Sequence, residues 1–210
     1  MLLHSSLRVL YLDMKTISLL LLIIFVQSEP TKIKQGKADS LLANLKKKIS
    51  DIDKYEYQHR KEMNTFISIE GKKGLKKVKN EDWPDDTEYI YHVLKDASGK
   101  VILTEQMPYS QSGDWYEEFK HYYDSDGKTI AFSKRETVFD ESVKDGVVMQ
   151  STLKYYDKKF NLIAQTNNLN DSKGKLIKRK AIEFNFRDDK YVIYKTVNDC
   201  LKGYHIIPPQ

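Results

Sequence analysis

The sequence is poor in cysteine and carries little excess charge of one sign. Cys200 is the single cysteine of the 210 residues, so the chain cannot form an internal disulfide and must be stabilised by packing and sheet hydrogen bonds. No activating histidine motif surrounds Cys200, which favours a small half-buried residue over a catalytic thiol. The net charge is only +5, and no module that reads nucleic acid is present. Binding of nucleic acid is therefore not predicted.

Motifs of the common enzyme classes are also missing. The sequence has no Gly-x-Ser-x-Gly elbow, no phosphate-cradling glycine loop and no dinucleotide fingerprint. The 5 histidines lack the spacing of a zinc pair, and the loop at Asp124, Asp126 and Gly127 lacks the carboxylate that ends a calcium loop. Glu117 and His121 share one face of a predicted strand and offer a general-base pair, with a surface contact as the commoner alternative. We predict a non-enzymatic protein without metal or cofactor.

Long apolar runs are absent except near the amino terminus. Residues 17–26 form an apolar run that follows Lys15 and is closed by polar residues, which is the layout of a secretory signal peptide. As a helix this run would span about 15 Å, half of a hydrocarbon core, which disfavours a permanent membrane span. We predict translation from Met14 and cleavage after Ser28, so that residues 1–28 comprise upstream residues and a signal peptide. An uncleaved anchor or a buried helix is the alternative.

The composition of the remainder favours a folded, strand-rich domain. Hydrophobic residues make up 40% of the chain, which excludes wholesale disorder. The aromatic residues are chiefly tyrosine, with 14 Tyr against 8 Phe and 2 Trp. Tyrosine suits pleated, half-wet surfaces, so the composition favours strands before any pattern is considered.

Residues 29–53 are predicted to form a linker and an amphipathic helix. Apolar side chains within residues 37–52 recur at three- and four-residue steps, while Lys46, Lys47 and Lys48 fall on the other face. We expect the lysine face to be solvated; contact with an anionic membrane surface is the alternative. The recurring apolar residues are Leu41, Leu42, Leu45, Ile49 and Ile52.

Residues 54–210 predict an antiparallel β-meander domain. Strand-like segments are separated by turns in which an aspartate precedes a glycine or asparagine that supplies a positive φ, and repeated turns of one type favour pairing of consecutive strands. The expected fold is mainly β, α+β at the amino terminus, with about nine strands forming a curved sheet or half-barrel beside one helix. The predicted strands are residues 55–63, 88–95, 101–106, 115–123, 129–139, 147–156, 162–168, 176–186 and 191–197.

One hairpin unit occurs twice in this domain. Tyr122-Tyr123-Asp124 precedes Gly127-Lys128-Thr129-Ile130-Ala131, and Tyr155-Tyr156-Asp157 precedes Asn161-Leu162-Ile163-Ala164. The unit resembles the degenerate Tyr-Asp hairpin repeats, a variant of the membrane-occupation (MORN) type, of exported bacterial proteins without assigned activity. This resemblance implies an exported bacterial protein built from β-hairpins.

The order of elements also resembles that of periplasmic lipoprotein-carrier proteins. In that family an amino-terminal helix and a strand precede a half-open barrel that encloses acyl chains. The helix at residues 41–52 and the strand from Tyr55 occur here in the same order. This second resemblance implies a carrier of lipid or another apolar ligand.

The predicted strand at residues 115–123 is aromatic on both faces. One face is expected to join the core, which leaves the other as a platform suited to glycan or peptide. Cover of that second face by the helix or by another strand is the alternative. The candidate binding residues are Trp115, Phe119 and Tyr123 on one face and Tyr116 and Tyr122 on the other.

These observations predict an exported, envelope-associated β-rich protein that acts as a non-enzymatic binding or interaction module through an open sheet face or edge. We expect it in the periplasm, on the outer envelope or secreted, without a transmembrane span when mature. A carrier of apolar ligands in a half-barrel cavity is the alternative, and an enzyme acting on envelope material comes third. The sequence does not identify the partner; an envelope protein, a glycan or a lipid would each suit this prediction.

Overall fold

A computed structural model describes residues 31–79, 83–143, 146–178, 180, 184–187 and 189–206. The predicted start at Met14 and the predicted signal peptide lie outside these residues. The chain divides into two compact units, residues 1–39 and 40–210. The described part of the first unit is the beginning of a helix, and the second unit contains the sheet.

One long helix precedes the sheet. Helix α1 is Thr31–His59 and is followed by a 3-10 turn at Arg60–Glu62. The prediction of a strand at residues 55–63 is therefore wrong. Its alternating aromatic and charged side chains also satisfy helical spacing, because the rings of Tyr55 and His59 stack with centroids 4.0 Å apart and Arg60 donates to Glu56 at 3.1 Å.

The sheet has eight strands, all paired antiparallel, and it is not closed among the described residues. Its order is β2-β1-β3-β4-β5-β6-β7-β8, so β3 to β8 form a meander of sequential neighbours, as predicted. The strands are β1 Asn64–Ile69, β2 Lys76–Val78, β3 Thr87–Lys95, β4 Val101–Pro108, β5 Trp115–Tyr123, β6 Thr129–Phe139, β7 Val147–Tyr156 and β8 Leu162–Asp171.

The structure has eight strands where about nine were expected, and some of the eight are not among the predicted strands. Strands β1 and β2 were not predicted. The described parts of residues 176–186 and 191–197 contain no strand; Leu176 forms one isolated bridge to Asn170, and Thr196 forms one to Lys128. The chain after β8 instead ends in the short helix α2, Val197–Gly203, whose amino terminus is capped by the Thr196 side chain.

Aspartates close the hairpin turns as predicted. In the β5–β6 turn, Oδ1 of Asp124 accepts hydrogen bonds from the backbone N–H groups of Asp126 and Lys128, both at 2.9 Å. The β7–β8 turn departs from the expectation that glycine or asparagine takes the positive φ, because Phe160 takes it at 66°. The Phe160 ring stacks on Tyr156 with centroids 4.5 Å apart, a contact that a glycine could not make.

Both faces of the central sheet are covered. On the side that we call the helix face, Leu45 and Ile49 of α1 pack in one cluster with side chains from β3 to β7. On the opposite side, the tail face, the cover comes from residues 184–187 and 189–206, including Cys200 and Tyr204. The buried sheet residues of the helix-face cluster are Leu94, Leu103, Tyr122, Ile130, Ala131 and Tyr155.

Candidate functional site

A row of charged side chains lies buried between the helix face and α1. In the sheet register, His92 of β3 is opposite Glu105 of β4, and Glu105 is opposite Lys120 of β5. Because cross-strand partners point to the same side, the three side chains form one line beneath the helix. Glu56 of α1 and Glu118 of β5 complete what we call the ion cluster, and all five residues are buried.

Short contacts connect the ion cluster. Lys120 Nζ lies 3.0 Å from Glu56, 3.3 Å from Glu105 and 3.5 Å from Glu118. His92 Nδ1 is hydrogen-bonded to Glu105 at 2.5 Å. One lysine thus contacts three carboxylates, and the histidine contacts the most deeply buried of them.

The protonation states in the ion cluster follow from these contacts. Burial opposes ionisation of Glu105, but the His92 hydrogen bond and the Lys120 charge together hold its pKa below the usual range. Burial and the charge of Glu105 raise the pKa of Glu118 to about 7. Burial opposes the charged form of Lys120 as well, yet the carboxylates raise its pKa above the usual range. Lys120 therefore stays cationic and compensates the buried negative charge.

A second ionic group lies on the tail face. Lys134 of β6 lies 3.2 Å from Glu117 and 3.0 Å from Glu136, which are opposite each other in the β5–β6 register. Burial, followed by the interaction with Asp189 of the tail, raises the pKa of Glu117 to about 7. At neutral pH Glu117 is therefore divided between its neutral and charged forms.

The general-base pair that Glu117 and His121 offered is not assembled, and the commoner alternative of a surface contact is wrong as well, because both residues are buried. Both residues are on the tail face, but Glu117 contacts Lys134, whereas His121 Nε2 accepts the backbone N–H of Tyr194 at 3.1 Å. The His121 side chain is fully buried, and its ring meets Phe132 edge-on with centroids 4.9 Å apart. Burial lowers the pKa of His121 to about 3, so the imidazole is neutral, enclosed and committed to a structural hydrogen bond.

The five aromatic candidates are divided between core and surface. Phe119 and Tyr123 are buried on the tail face, and Tyr122 is buried on the helix face, where its hydroxyl donates to Asp53 at 2.9 Å. Tyr116 is 37% exposed, and the Arg187 guanidinium lies 4.0 Å from the centroid of the Trp115 ring. Both sheet faces are covered at β5, so an exposed aromatic surface can include only Trp115 and Tyr116 of these five. Their role in binding stays a prediction.

A groove opens where α1 passes the β5–β6 and β7–β8 turns. Its volume is about 470 Å³. The apolar part of its wall consists of Leu41 and Leu45 of α1 together with Ile130 and Tyr156 of the sheet. We call this the α1 groove, and its remaining lining residues are Asn44, Lys47, Lys48, Asp51, Asp124, Asp157 and Lys158.

Sequence reasoning missed the α1 groove because its walls are far apart in the chain. The signals for its parts were present: the apolar helix stripe that includes Leu41, the lysine run that includes Lys48, and the turn aspartates Asp124 and Asp157. Only the packing of α1 against the two turns shows which of these residues line one cavity.

In the described part of the chain, no group of three or more histidine, cysteine, aspartate or glutamate side chains is arranged to hold a metal ion. Within the same residues, no helix combines the length and the apolar character needed to cross a membrane.

Comparisons with protein-family models, with curated proteins and with solved structures find no match for this chain. The resemblances to hairpin-repeat proteins and to lipoprotein carriers therefore stay predictions. The function has to be argued from the geometry of the chain itself.

Proposed function

We propose that this chain is an exported, non-enzymatic binding protein whose ligand occupies the α1 groove. The observation that carries the proposal is a cavity of about 470 Å³ that combines an apolar wall with charged residues. This volume falls within the range of small-ligand sites, which are mostly apolar and have a few polar groups that orient the ligand. Export is supported by the signal-peptide pattern of residues 17–26.

Binding is favoured over catalysis because the carboxyl and imidazole groups whose pKa values are shifted mainly by burial are enclosed. Glu117, Glu118 and His121 are all buried, and each has a protein partner: Lys134, Lys120 and Tyr194, respectively. A general acid or base must come within hydrogen-bond distance of its substrate. Groups covered by α1 or by the tail do not meet this condition in the described structure.

The position of the groove also favours a ligand beside the sheet over one beneath it. Leu45 and Ile49 of α1 belong to the same buried cluster as Leu103 and Tyr155, and the ion cluster is buried on the same face. An apolar ligand of the kind that a carrier takes would be accommodated in the α1 groove without displacing this core.

The proposal is tested by filling the groove with one side chain. Asn44 is exposed on α1 and lines the groove, so Asn44→Trp should occupy part of the cavity and weaken binding of N-phenyl-1-naphthylamine, an uncharged apolar fluorescent probe, by at least about tenfold. Ala43 is exposed next to it but is not a lining residue, which makes Ala43→Trp the matched control.

The readout is a saturable fluorescence titration at a fixed protein concentration, with thermal melting of each variant to show that it is folded. Binding to the native chain that is lost in Asn44→Trp and kept in Ala43→Trp supports the proposal. Equal binding to all three proteins, or no saturable binding to the native chain, contradicts it.

A further inference from the structure

We infer that the α1 groove takes an anionic amphiphile, with its apolar chain on the apolar part of the wall and its anionic head between Lys48 and Lys158. This inference rests on the proposed function, because it names the class of ligand for the same groove. The charged residues that line the groove differ in whether they already have hydrogen-bond or ion-pair partners within the protein.

The carboxylates at the groove are already committed within the protein. Oδ1 of Asp157 accepts the backbone N–H groups of Lys159 and Asn161, both at 2.8 Å. Asp124 forms the corresponding pair of hydrogen bonds in the β5–β6 turn. Asp51 forms an ion pair with Lys47 at 2.7 Å. Each acidic group therefore has a local partner that fixes its position.

Two cations at the groove have no such partner. Among the residues that the structure describes, none forms a hydrogen bond or an ion pair with the Lys48 or Lys158 side chain. Lys48 belongs to α1 and Lys158 to the β7–β8 turn, so the two side chains reach the groove from different elements. An anionic group placed between them would gain two charge-assisted contacts.

The apolar wall accounts for the other half of the ligand. Leu41 is 39% exposed, which leaves its side chain available for contact, and Leu45, Ile130 and Tyr156 continue the surface into the protein. The lining residues of α1 run from Leu41 to Asp51, a length of about 15 Å along a helix. An elongated apolar chain fits such a wall, and its burial would supply most of the affinity.

The anionic head can be a carboxylate or a phosphate, since both accept hydrogen bonds from lysine. The experiment therefore compares ligands with the same decyl chain and different heads: decanoate, decyl phosphate, decyl maltoside and decyltrimethylammonium. Binding is measured by calorimetry below the concentration at which each ligand forms micelles. We expect at least one of the two anions to bind about tenfold more tightly than the neutral maltoside, and the cation to bind most weakly.

Charge-removing variants test the position of the head. Lys48→Gln and Lys158→Gln should each weaken the favoured anion about three- to tenfold and leave the maltoside unchanged. Lys46→Gln and Lys159→Gln remove equally exposed lysines that do not line the groove, and they should leave every affinity within about twofold. A preference between decanoate and decyl phosphate would then identify the head group.

The outcomes separate this inference from the proposed function. Decyl ligands that bind irrespective of head group and lose affinity in Asn44→Trp would overturn the anionic head and leave the binding function standing. The same holds if Lys46→Gln weakens the anions as much as Lys48→Gln, because the effect would then be one of net charge. Failure of all four ligands to bind the native chain would overturn this inference, and the proposed function is contradicted as well if the fluorescent probe also fails to bind.

Discussion

The two faces of the sheet are stabilised by different chemistry, although strand β5 supplies side chains to both faces. Glu118, Lys120 and Tyr122 point to the helix face, whereas Phe119 and His121 point to the tail face. The helix face buries a row of charges beside its apolar cluster, because α1 brings Glu56 to within 3.0 Å of Lys120. The tail face is aromatic at its centre, where Tyr194 and Tyr204 of the tail lie against His121. The element that covers each face therefore determines which side chains β5 can bury there.

The difference has energetic consequences. A buried charge that has its partners adds little net stability, but removal of one partner leaves an uncompensated charge in a poorly solvated place. Aromatic and aliphatic contacts lose stability more gradually, in proportion to the buried area that is removed. The helix face should therefore be the more sensitive to a single change of charge.

The largest effect is expected for Lys120→Met, which removes a cation that contacts Glu56, Glu105 and Glu118 together. The free energy of unfolding at neutral pH should fall by about 3–5 kcal/mol, measured by urea denaturation. The matched variant on the tail face is Lys134→Met, which removes contacts to Glu117 and Glu136. Lys134 contacts two carboxylates against the three that Lys120 contacts, so fewer buried charges lose a partner and a smaller reduction, of about 1–2 kcal/mol, is expected.

Equal losses for the two methionine variants would contradict the contrast between the faces. A stabilising effect of Lys120→Met would show that the carboxylates of the ion cluster become protonated at little cost. Repeating the denaturation at pH 5 distinguishes these cases, because protonation of Glu118 would reduce the penalty in the variant.

An intermediate effect is expected for Glu117→Gln, and it depends on pH. The folded-state pKa of Glu117 is about 7, above the ordinary value of 4.5, so between these two pH values the folded protein holds a proton that the unfolded chain has lost. The native protein therefore loses stability as the pH rises through this window. Glutamine cannot ionise, so the variant should gain about 2–3 kcal/mol relative to the native protein between pH 4.5 and pH 7.

His121→Leu serves as the control of opposite sign. The pKa of His121 is about 3 in the folded protein against an ordinary value of 6.5, so acidification protonates the unfolded chain first and destabilises the native protein. Relative to the native protein, His121→Leu should gain about 2 kcal/mol as the pH falls from 6.5 to 5. Urea denaturation of the native protein and both variants between pH 4.5 and pH 7 measures both changes in the free energy of unfolding. Slopes of the same sign for the two variants would contradict these assignments.

Much of the sheet was predictable because residues close together in the sequence specify its strands and turns. Alternation of side chains along β3 to β8 and the turn aspartates at Asp96, Asp124, Asp157 and Asp171 specify consecutive hairpins. The prediction fails where local patterns are ambiguous. Residues 55–63 alternate like a strand, but packing continues α1 through His59. Phe160 takes a positive φ that sequence statistics assign to glycine, and its stacking on Tyr156 offsets the strain.

The site was less predictable because it depends on contacts between distant segments. The sequence identifies the lysine run at residues 46–48, but only the structure shows that Lys47 pairs with Asp51 while Lys48 lines the α1 groove. Likewise, the pattern of β5 shows two aromatic faces but does not show that α1 covers one and the tail covers the other. Such long-range cover is not encoded in the periodicity of any single strand.

The smallest effect in this comparison is expected from removing the hydroxyl group of either of two consecutive tyrosines, whose side chains point to opposite faces of the sheet. The Tyr123 hydroxyl is hydrogen-bonded at 2.7 Å to Thr104, which is completely buried, so Tyr123→Phe leaves a polar atom with only its 3.2 Å contact to Cys200. The Tyr122 hydroxyl donates to Asp53, an exposed residue that water can solvate after Tyr122→Phe. We expect losses of about 1–2 kcal/mol for Tyr123→Phe and about 0.5 kcal/mol for Tyr122→Phe in thermal or urea unfolding. The reverse order would mean that Asp53 contributes more to the attachment of α1 than its exposure indicates.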